Sequence, residues 1–172
     1  DYLILGGGIA NTCLGSQGIE IGSSLSEISM YEEAKILAEK DNVLLPKEVL
    51  VAKNKESLVR ETGVTSLTRE DCIFDISPNF VSSLEHLFNK AGTIIWNGPM
   101  GLFEIDKFFT GTKAVADSIS RSSAYSIIGG GDTISAASRS GVLDSISYVS
   151  TAGGAFLEYL EGKSLPALSA LE

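Results

Sequence analysis

The chain has 172 residues, 44% of them hydrophobic, and a formal net charge of −9. This length and apolar content suffice for one domain with a substantial core. The negative charge argues against nucleic acid or an anionic membrane as a partner. Its two cysteines, Cys13 and Cys72, lie far apart without CxxC spacing. That spacing predicts reduced thiols and fits a cytoplasmic protein.

The first residues, "DYLILGGG", indicate that the sequence begins within a predicted strand. The sequence has neither a cleavable signal at this end nor an apolar run long enough to span a membrane. We therefore expect a fragment of a longer protein with no membrane association.

Short apolar runs alternate with longer amphipathic stretches along the chain. The runs predict strands at Tyr2–Leu5, Val43–Leu45, Val49–Ala52, Cys72–Ile76, Thr93–Trp96, Ser126–Ile128 and Ser147–Val149. Several are apolar at consecutive positions, as in parallel strands that are covered on both faces.

Three stretches between these runs predict helices. "SMYEEAKILAEK" begins with Ser29 and Glu32 in capping-box spacing. "SPNFVSSLEHLFNKAG" begins with Ser77 as N-cap and Pro78 at the first helical position. "TGTKAVADSISRS" is the third. The alternation predicts a single α/β domain over residues 1–172: a Rossmann-like, three-layer α/β/α fold with a mainly parallel sheet and helices on both faces.

Glycine-bearing turns follow four of the predicted strands: "LGGGIAN", "WNGPMGLFE", "GGGDT" and "STAGGA". One such turn can need glycine for a positive φ alone. Four of them at the carboxyl edge of a parallel sheet predict one crevice lined by backbone amides, the place where such sheets bind ligands. The turns at Gly129–Gly131 and Gly153–Gly154 precede helices, so helix N-termini would add positive charge for phosphate.

An acid, Asp132, follows the third of these turns directly. A carboxylate there would repel phosphate unless it held Mg²⁺, which could then bridge to the phosphate oxygens. Thr133 adds a hydroxyl to the same group. The alternative for Asp132 is an ordinary helix N-cap.

Other fingerprints of nucleotide or metal sites are incomplete. "EGKS" at 161–164 lacks the first glycine of a Walker loop and ends a helical stretch instead of preceding one. No G-x-G-x-x-G is completed, which disfavours a dinucleotide dehydrogenase. The single histidine, His86, falls opposite an apolar helix face, so we expect it at the surface and expect no histidine-based site.

The stretch "TIIWNGPMGLFE" places Asn97, Gly98 and Pro99 in a fixed turn after a buried strand. Glu104 follows seven residues after Asn97, where its carboxylate could accept both hydroxyls of a ribose. The alternative is that Glu104 caps the next helix.

Together, "WNGPMGLFE", "IIGGGDT" and "VSTAGGAFLEYLEGKSLPAL" resemble, in order and spacing, signatures of the phosphoglycerate kinase family. "LILGGGIANTCL" and "LLPKEVLVA" match further family segments, so the resemblance covers essentially the whole chain. It points to the C-terminal, nucleotide-binding domain of that family. It implies a phosphotransferase of glycolysis with a carboxyl group as acceptor. The reaction is reversible Mg²⁺-dependent transfer between 1,3-bisphosphoglycerate and ADP, giving 3-phosphoglycerate and ATP.

The resemblance also implies roles for individual residues. Asp132 would serve Mg²⁺ and the nucleotide phosphates, with Gly129, Gly130 and Thr133 beside it. Gly131 and Gly154 would stabilise the transferring phosphoryl group. The remaining contacts would be Glu104 with ribose, Asn97 and Pro99 near the nucleotide, and Gly7, Gly8 and Phe74 at the adenine.

This chain differs from the family at Ala152, where a glycine is usual. The methyl group would either narrow the phosphate-binding turn or require a turn with negative φ. The family's N-terminal domain, which binds the phosphoglycerate, is not in the sequence. We therefore expect the isolated chain to be inactive, because transfer needs both substrates aligned. We expect the full-length protein to be a monomer. A different class of function stays open: a non-catalytic nucleotide-binding or interaction module that retains the fold.

Overall fold

The computed structural model describes residues 1–170, in which strands and helices alternate. The strands are β1 (Leu3–Ile4), β2 (Val43–Leu44), β3 (Glu48–Ala52), β4 (Arg60–Gly63), β5 (Cys72–Ile76), β6 (Thr93–Asn97), β7 (Tyr125–Gly129) and β8 (Tyr148–Ser150). The helices are α1 (Gly7–Ser16), α2 (Tyr31–Ala38), α3 (Pro78–Ser83), α4 (Glu85–Lys90), α5 (Thr110–Arg121), α6 (Gly131–Arg139), α7 (Gly153–Leu160) and α8 (Pro166–Ser169). Each strand predicted from the apolar runs overlaps an observed strand.

The backbone divides into two compact units. The first unit comprises Asp1–Glu85 and Pro99–Val115, and the second comprises His86–Gly98 and the residues from Ala116 onward. The first unit contains two sheets and the second contains one, and each unit has its own glycine-bearing loops.

The first unit contains two small sheets. Strands β1 and β2 pair in parallel, whereas β3 lies between β4 and β5 and pairs antiparallel with both. Helix α1 packs against β5 and α2. Its buried apolar side chains include one cluster of Leu14, Ile21, Val49, Val51, Val64 and Leu67, and another of Leu5, Ala10, Cys13 and Ala34.

The second unit is built on the parallel sheet β6–β7–β8. Asn97 at the end of β6 pairs with Gly129 at the end of β7, and Gly129 pairs with Ser150 at the end of β8. The carboxyl ends of the three strands therefore lie at one edge, and helix α6 packs on β7. The predicted α/β fold, with parallel strands flanked by helices, is confirmed.

The helices differ from the sequence prediction in two details. Ser77 is the predicted N-cap and accepts a hydrogen bond from the Asn79 amide at 2.9 Å, but the helix that it starts breaks at Leu84 (φ −99°, ψ 1°). The predicted capping box is wrong: Ser29 lies in a 3₁₀ turn ahead of α2, and its hydroxyl donates to Glu27 Oε1 at 2.7 Å.

Both cysteines are free thiols, as predicted, and Cys13 is buried. His86 is exposed, also as predicted. Within residues 1–170, no helix combines the length and the apolar character that crossing a membrane requires.

Candidate functional site

In the second unit, hydrogen bonds tie the loop after β6 to the loop after β7. The Asn97 side-chain amide donates to the Gly129 carbonyl at 3.0 Å, and the Gly98 amide donates to Thr133 Oγ1 at 2.7 Å. The Trp96 indole donates to the Gly98 carbonyl at 2.7 Å, which closes the turn in which Gly98 takes φ +87°. The two loops are therefore held as one assembly.

Thr133 is 1% exposed, and its hydroxyl is engaged on both sides. It accepts the Gly98 amide and donates to the Gly129 carbonyl at 2.6 Å. A hydroxyl has only one proton to donate, and that of Thr133 is used in the bond to Gly129. Thr133 therefore stabilises the interior of the loop while its hydroxyl makes these bonds.

The glycine turn after β7 leads directly into α6. Gly130 is the N-cap with φ +90°, a conformation that favours glycine, and its amide donates to the Ser150 carbonyl at 3.2 Å. The next three amides, from Gly131 to Thr133, belong to the first helical turn, where no preceding carbonyl of the helix can accept them. Gly131 is exposed, so the helix presents backbone donors to solvent there.

The start of α7 lies against the same glycine turn. A Cβ built on Gly153 would lie 3.1 Å from the Gly130 Cα, so the absence of side chains at both positions permits this approach. Ala152, the N-cap of α7, has φ −90°, the negative value expected for alanine. The N-termini of α6 and α7 are neighbours, and their partial positive charges act on one region.

Asp132 occupies the second position of α6 and is exposed. The N-cap is Gly130, so the structure excludes the alternative in which Asp132 caps the helix. Within the described part of the chain, no cluster of three or more His, Cys, Asp or Glu side chains could enclose a metal ion. A lone exposed carboxylate fits Mg²⁺, which proteins commonly bind through one or two carboxylates together with substrate phosphates.

In the first unit, the predicted glycine loop lies against the segment that follows Gly98. The Gly7 amide donates to the Met100 carbonyl at 2.9 Å, and Gly7 itself has φ +56°. A Cβ on Gly6 would lie 2.7 Å from the Met100 Cε, so only glycine permits this contact without rearrangement. A Cβ on Gly7 would lie 3.8 Å from the Pro99 carbonyl. The structure thus brings Gly7 and Pro99 together.

A cavity of about 500 Å³ opens beside Gly8, between α1 and α2. This volume is typical of small-molecule sites, which span roughly 300–1,000 Å³. Its lining is largely apolar and includes Ile9, Leu25 and Met30, which are 62%, 77% and 47% exposed. Sequence analysis assigned neither Leu25 nor Met30 to a site. Leu25 lies in a segment without a recognisable pattern, and Met30 belongs to the stretch predicted as a helix.

Phe74 and Glu104 also belong to the first unit. Phe74 is half-buried and stacks on Phe108 with ring centroids 4.2 Å apart, and it is not among the residues that line the cavity. Glu104 is exposed in a turn. The structure excludes the alternative in which Glu104 caps the next helix, because the first amides of α5 bind Asp75 instead.

Asp75 is the residue of this region that sequence analysis missed. It is 1% exposed, and its carboxylate accepts the amides of Gly111, at 2.7 Å, and Thr112, at 3.1 Å. Burial raises the pKa of Asp75 to about 7, although hydrogen bonds from Thr112, Gly111 and Ile76 oppose the rise. An acid between Phe74 and Ile76 in a predicted buried strand was the available signal.

The family model for phosphoglycerate kinase matches residues 1–163. The structure of phosphoglycerate kinase from Coxiella burnetii is 46% identical with a TM-score of 0.92, and the match covers 98% of this chain and 46% of that one. The structure of phosphoglycerate kinase from Pyrococcus horikoshii OT3 is 29% identical with a TM-score of 0.85, covering 99% and 45%. The chain spans less than half the length of these relatives. It belongs to the phosphoglycerate kinase family.

Proposed function

We propose that the chain is the nucleotide-binding part of a phosphoglycerate kinase of glycolysis. The reaction moves a phosphoryl group reversibly from the acyl phosphate of 1,3-bisphosphoglycerate to ADP, giving 3-phosphoglycerate and ATP. Family membership supports this assignment. The observation that carries it is the meeting, at one edge of the β6–β7–β8 sheet, of three glycine-bearing loops with two neighbouring helix N-termini.

In the second unit, we propose that the loop assembly binds nucleotide phosphates through backbone amides. No lysine or arginine occurs in residues 129–133 or 150–155, so within these loops backbone amides and helix N-termini are the groups that carry positive potential. Asn97, Gly129, Gly130 and Thr133 keep the assembly in shape through the bonds described above.

The two residues proposed to act on the transferring phosphoryl group are Gly131 and Gly154. Each lies in the first turn of its helix, α6 or α7, and both are exposed. Fixed amides of this kind stabilise developing negative charge without reorganising during the reaction. Such stabilisation provides most of the catalysis in phosphoryl transfer.

Asp132 would hold Mg²⁺ at the mouth of this assembly. When bound with nucleotide, the ion neutralises phosphate charge and orients the phosphate oxygens. A carboxylate this close to the phosphates would favour the magnesium complex of the nucleotide over the free anion.

In the first unit, we propose that Gly7, Gly8 and Phe74 contact the adenine and that Pro99 lies near the nucleotide. We propose that Glu104 accepts hydrogen bonds from the ribose. The apolar cavity beside Gly8 supports a flat aromatic ligand, because exposed apolar side chains surround it. Its volume leaves room for the base. The exposure of Glu104 leaves its carboxylate available to hydroxyls.

We propose that turnover needs the phosphoglycerate-binding half of the relatives, which these 172 residues do not cover. The chain alone is expected to bind nucleotide and to show negligible transfer, because no second substrate would be aligned. A cytoplasmic location and a monomeric full-length protein belong to the same proposal.

Titration of the 172-residue chain with ADP, followed by calorimetry and amide NMR shifts, tests the proposal. Binding should be tighter with Mg²⁺ than with a chelator, and Asp132→Ala should remove this difference. Asp144→Ala is the matched control, because Asp144 is also exposed, in a 3₁₀ turn of the same unit, and changes the net charge equally. Equal affinity with and without Mg²⁺ in the unaltered chain would contradict the role of Asp132.

A second experiment addresses turnover. Supplying the missing half of a relative in trans, or extending the chain to full length, should produce transfer between 1,3-bisphosphoglycerate and ADP. A folded full-length protein that binds MgADP without any turnover would instead identify a non-catalytic nucleotide-binding module.

A further inference from the structure

The Asp75 carboxylate, buried near the end of β5, is saturated with hydrogen-bond donors. Oδ2 accepts the amides of Gly111 and Thr112, and Oδ1 accepts the Ile76 amide at 2.9 Å and the Thr112 hydroxyl at 3.2 Å. Two of these amides are at the start of α5, where helix donors lack partners. Asp75 thus fixes the start of α5 to the end of β5.

The Thr112 hydroxyl extends this network to the predicted nucleotide loops. Thr112 is 0% exposed, and its Oγ1 accepts the Met100 amide at 3.2 Å while it donates to Asp75. The Met100 carbonyl accepts the Gly7 amide at 2.9 Å. A continuous chain of hydrogen bonds therefore runs from the Asp75 carboxylate through Thr112 and Met100 to Gly7.

Close packing restrains the same segment from its other side. A Cβ on Gly101 would lie 2.6 Å from Asp75 Oδ1, and the Leu102 amide donates to the Phe74 carbonyl at 2.7 Å. Residues 100–102 therefore have little freedom to shift along β5 while Asp75 keeps its partners.

We infer that Asp75 is a positioning residue for the nucleotide site: through Thr112 and Met100 it sets the position of Gly7 and of the segment that begins at Pro99. The inference rests on the proposed function, because it assigns Asp75 to the placement of residues proposed to contact adenosine. Asp75 itself is too deeply buried to contact a ligand. Its effect is indirect, through the backbone amides of Met100 and Gly7.

Thr112→Val and Thr112→Ser provide the most direct test in the full 172-residue chain. Valine keeps the shape but removes the hydroxyl relay, whereas serine keeps the relay. We expect Thr112→Val to move the amide NMR shifts of Gly7 and Met100 and to weaken ADP binding about tenfold, the effect of losing one buried hydrogen bond. Thr112→Ser should stay within about twofold of the unaltered chain. Asp75→Asn should resemble Thr112→Val.

Asp71→Asn is the control for general loss of stability. Asp71 is also a buried acid of the first unit. Its carboxylate accepts hydrogen bonds from Arg60 and Thr68, which are not part of the chain of bonds to Met100 and Gly7 described for Asp75. We expect this variant to lose stability and to keep its ADP affinity when affinity is measured on the folded fraction.

The outcomes separate the inference from the function on which it rests. Unmoved Gly7 and Met100 amides in Thr112→Val would overturn the inference, whether or not ADP binds. Equal ADP affinity of Thr112→Val and Thr112→Ser would overturn it as well. An unaltered chain that binds no ADP, but in which Thr112→Val still moves the two amides, would overturn the proposed function and leave the positioning of Gly7 supported.

Discussion

Replacing Asp75 by asparagine should change the way in which stability depends on pH. In the folded chain, burial raises the pKa of Asp75 from 3.8 to about 7, against the opposing hydrogen bonds from Thr112, Gly111 and Ile76. Between these values the folded state holds a proton that the unfolded state has already lost. The stability linked to this proton is therefore fully present below about pH 4 and is lost as the pH rises through about 7.

The magnitude follows from the size of this interval. From 3.8 to about 7 is roughly three pH units, and each unit corresponds to about 1.4 kcal/mol. The difference in unfolding free energy, unaltered chain minus Asp75→Asn, should fall by about 4 kcal/mol between pH 4 and pH 8. Asparagine does not titrate, so any constant cost of the substitution cancels from this slope.

Urea denaturation followed by far-UV circular dichroism, at one-unit steps from pH 4 to pH 8, measures the difference. Asp71→Asn is the control, and its difference from the unaltered chain should stay nearly flat over this range. Burial raises the pKa of Asp71, but hydrogen bonds from Thr68 and the Arg60 guanidinium outweigh it and lower the pKa overall. The stability that Asp71 contributes is therefore present above its ordinary pKa and lost at lower pH. A flat difference for Asp75→Asn would refute the reasoning and show that the surrounding donors keep this carboxylate ionised throughout.

Three further predictions concern the second unit. Thr133→Val should cost about 1–3 kcal/mol of unfolding free energy in urea, because the partly buried Gly98 amide loses its acceptor, whereas Thr133→Ser should cost less. Gly131→Ala should keep the stability of the chain, since a Cβ there meets nothing within 4 Å, but it should weaken MgADP binding in calorimetry. Gly129→Ala should instead unfold more readily, because its Cβ would lie 2.5 Å from Phe156. Equal ADP affinity of Gly131→Ala and the unaltered chain would contradict the role of Gly131. Ala152→Gly should lower the melting temperature slightly without improving nucleotide binding, since alanine already suits φ −90° and glycine is the more flexible residue in the unfolded chain.

Apolar runs located the strands well because they depend on burial, which the sequence records directly. They did not give strand direction: Val49–Ala52 is buried throughout β3, yet β3 pairs antiparallel with both of its neighbours. Strand β4 was missed because its sequence, RETG, lies at a sheet edge and carries no apolar alternation.

Capping residues were predicted correctly where the contact is local, and incorrectly where tertiary contacts determine the start of the helix. Ser77 caps α3 through the Asn79 amide, two residues away. Ser29 does not cap α2, because the Glu27 amide binds Thr12 of α1 and a 3₁₀ turn then precedes the helix. The start of α5 likewise depends on Asp75, more than thirty residues earlier in the chain, a partner that no local pattern reveals.

The glycine turns were visible in the sequence because glycine marks both positive φ and close backbone approach. The structure requires both at Gly130, which has φ +90° and lies against Gly153. The engagement of Thr133 with Gly98 and Gly129 could not be foreseen, because it depends on how two distant loops meet.

Asp132 faces water, whereas its neighbour Thr133 lies inside the loop assembly. The two positions should therefore tolerate substitution differently. In a saturation-mutagenesis library sorted separately for protein abundance and for ligand capture, position 133 should be depleted already at the abundance step. Position 132 should pass that step with almost any residue and be depleted only at capture. Two adjacent residues of one motif would then be conserved for different reasons, one for ligand binding and the other for folding.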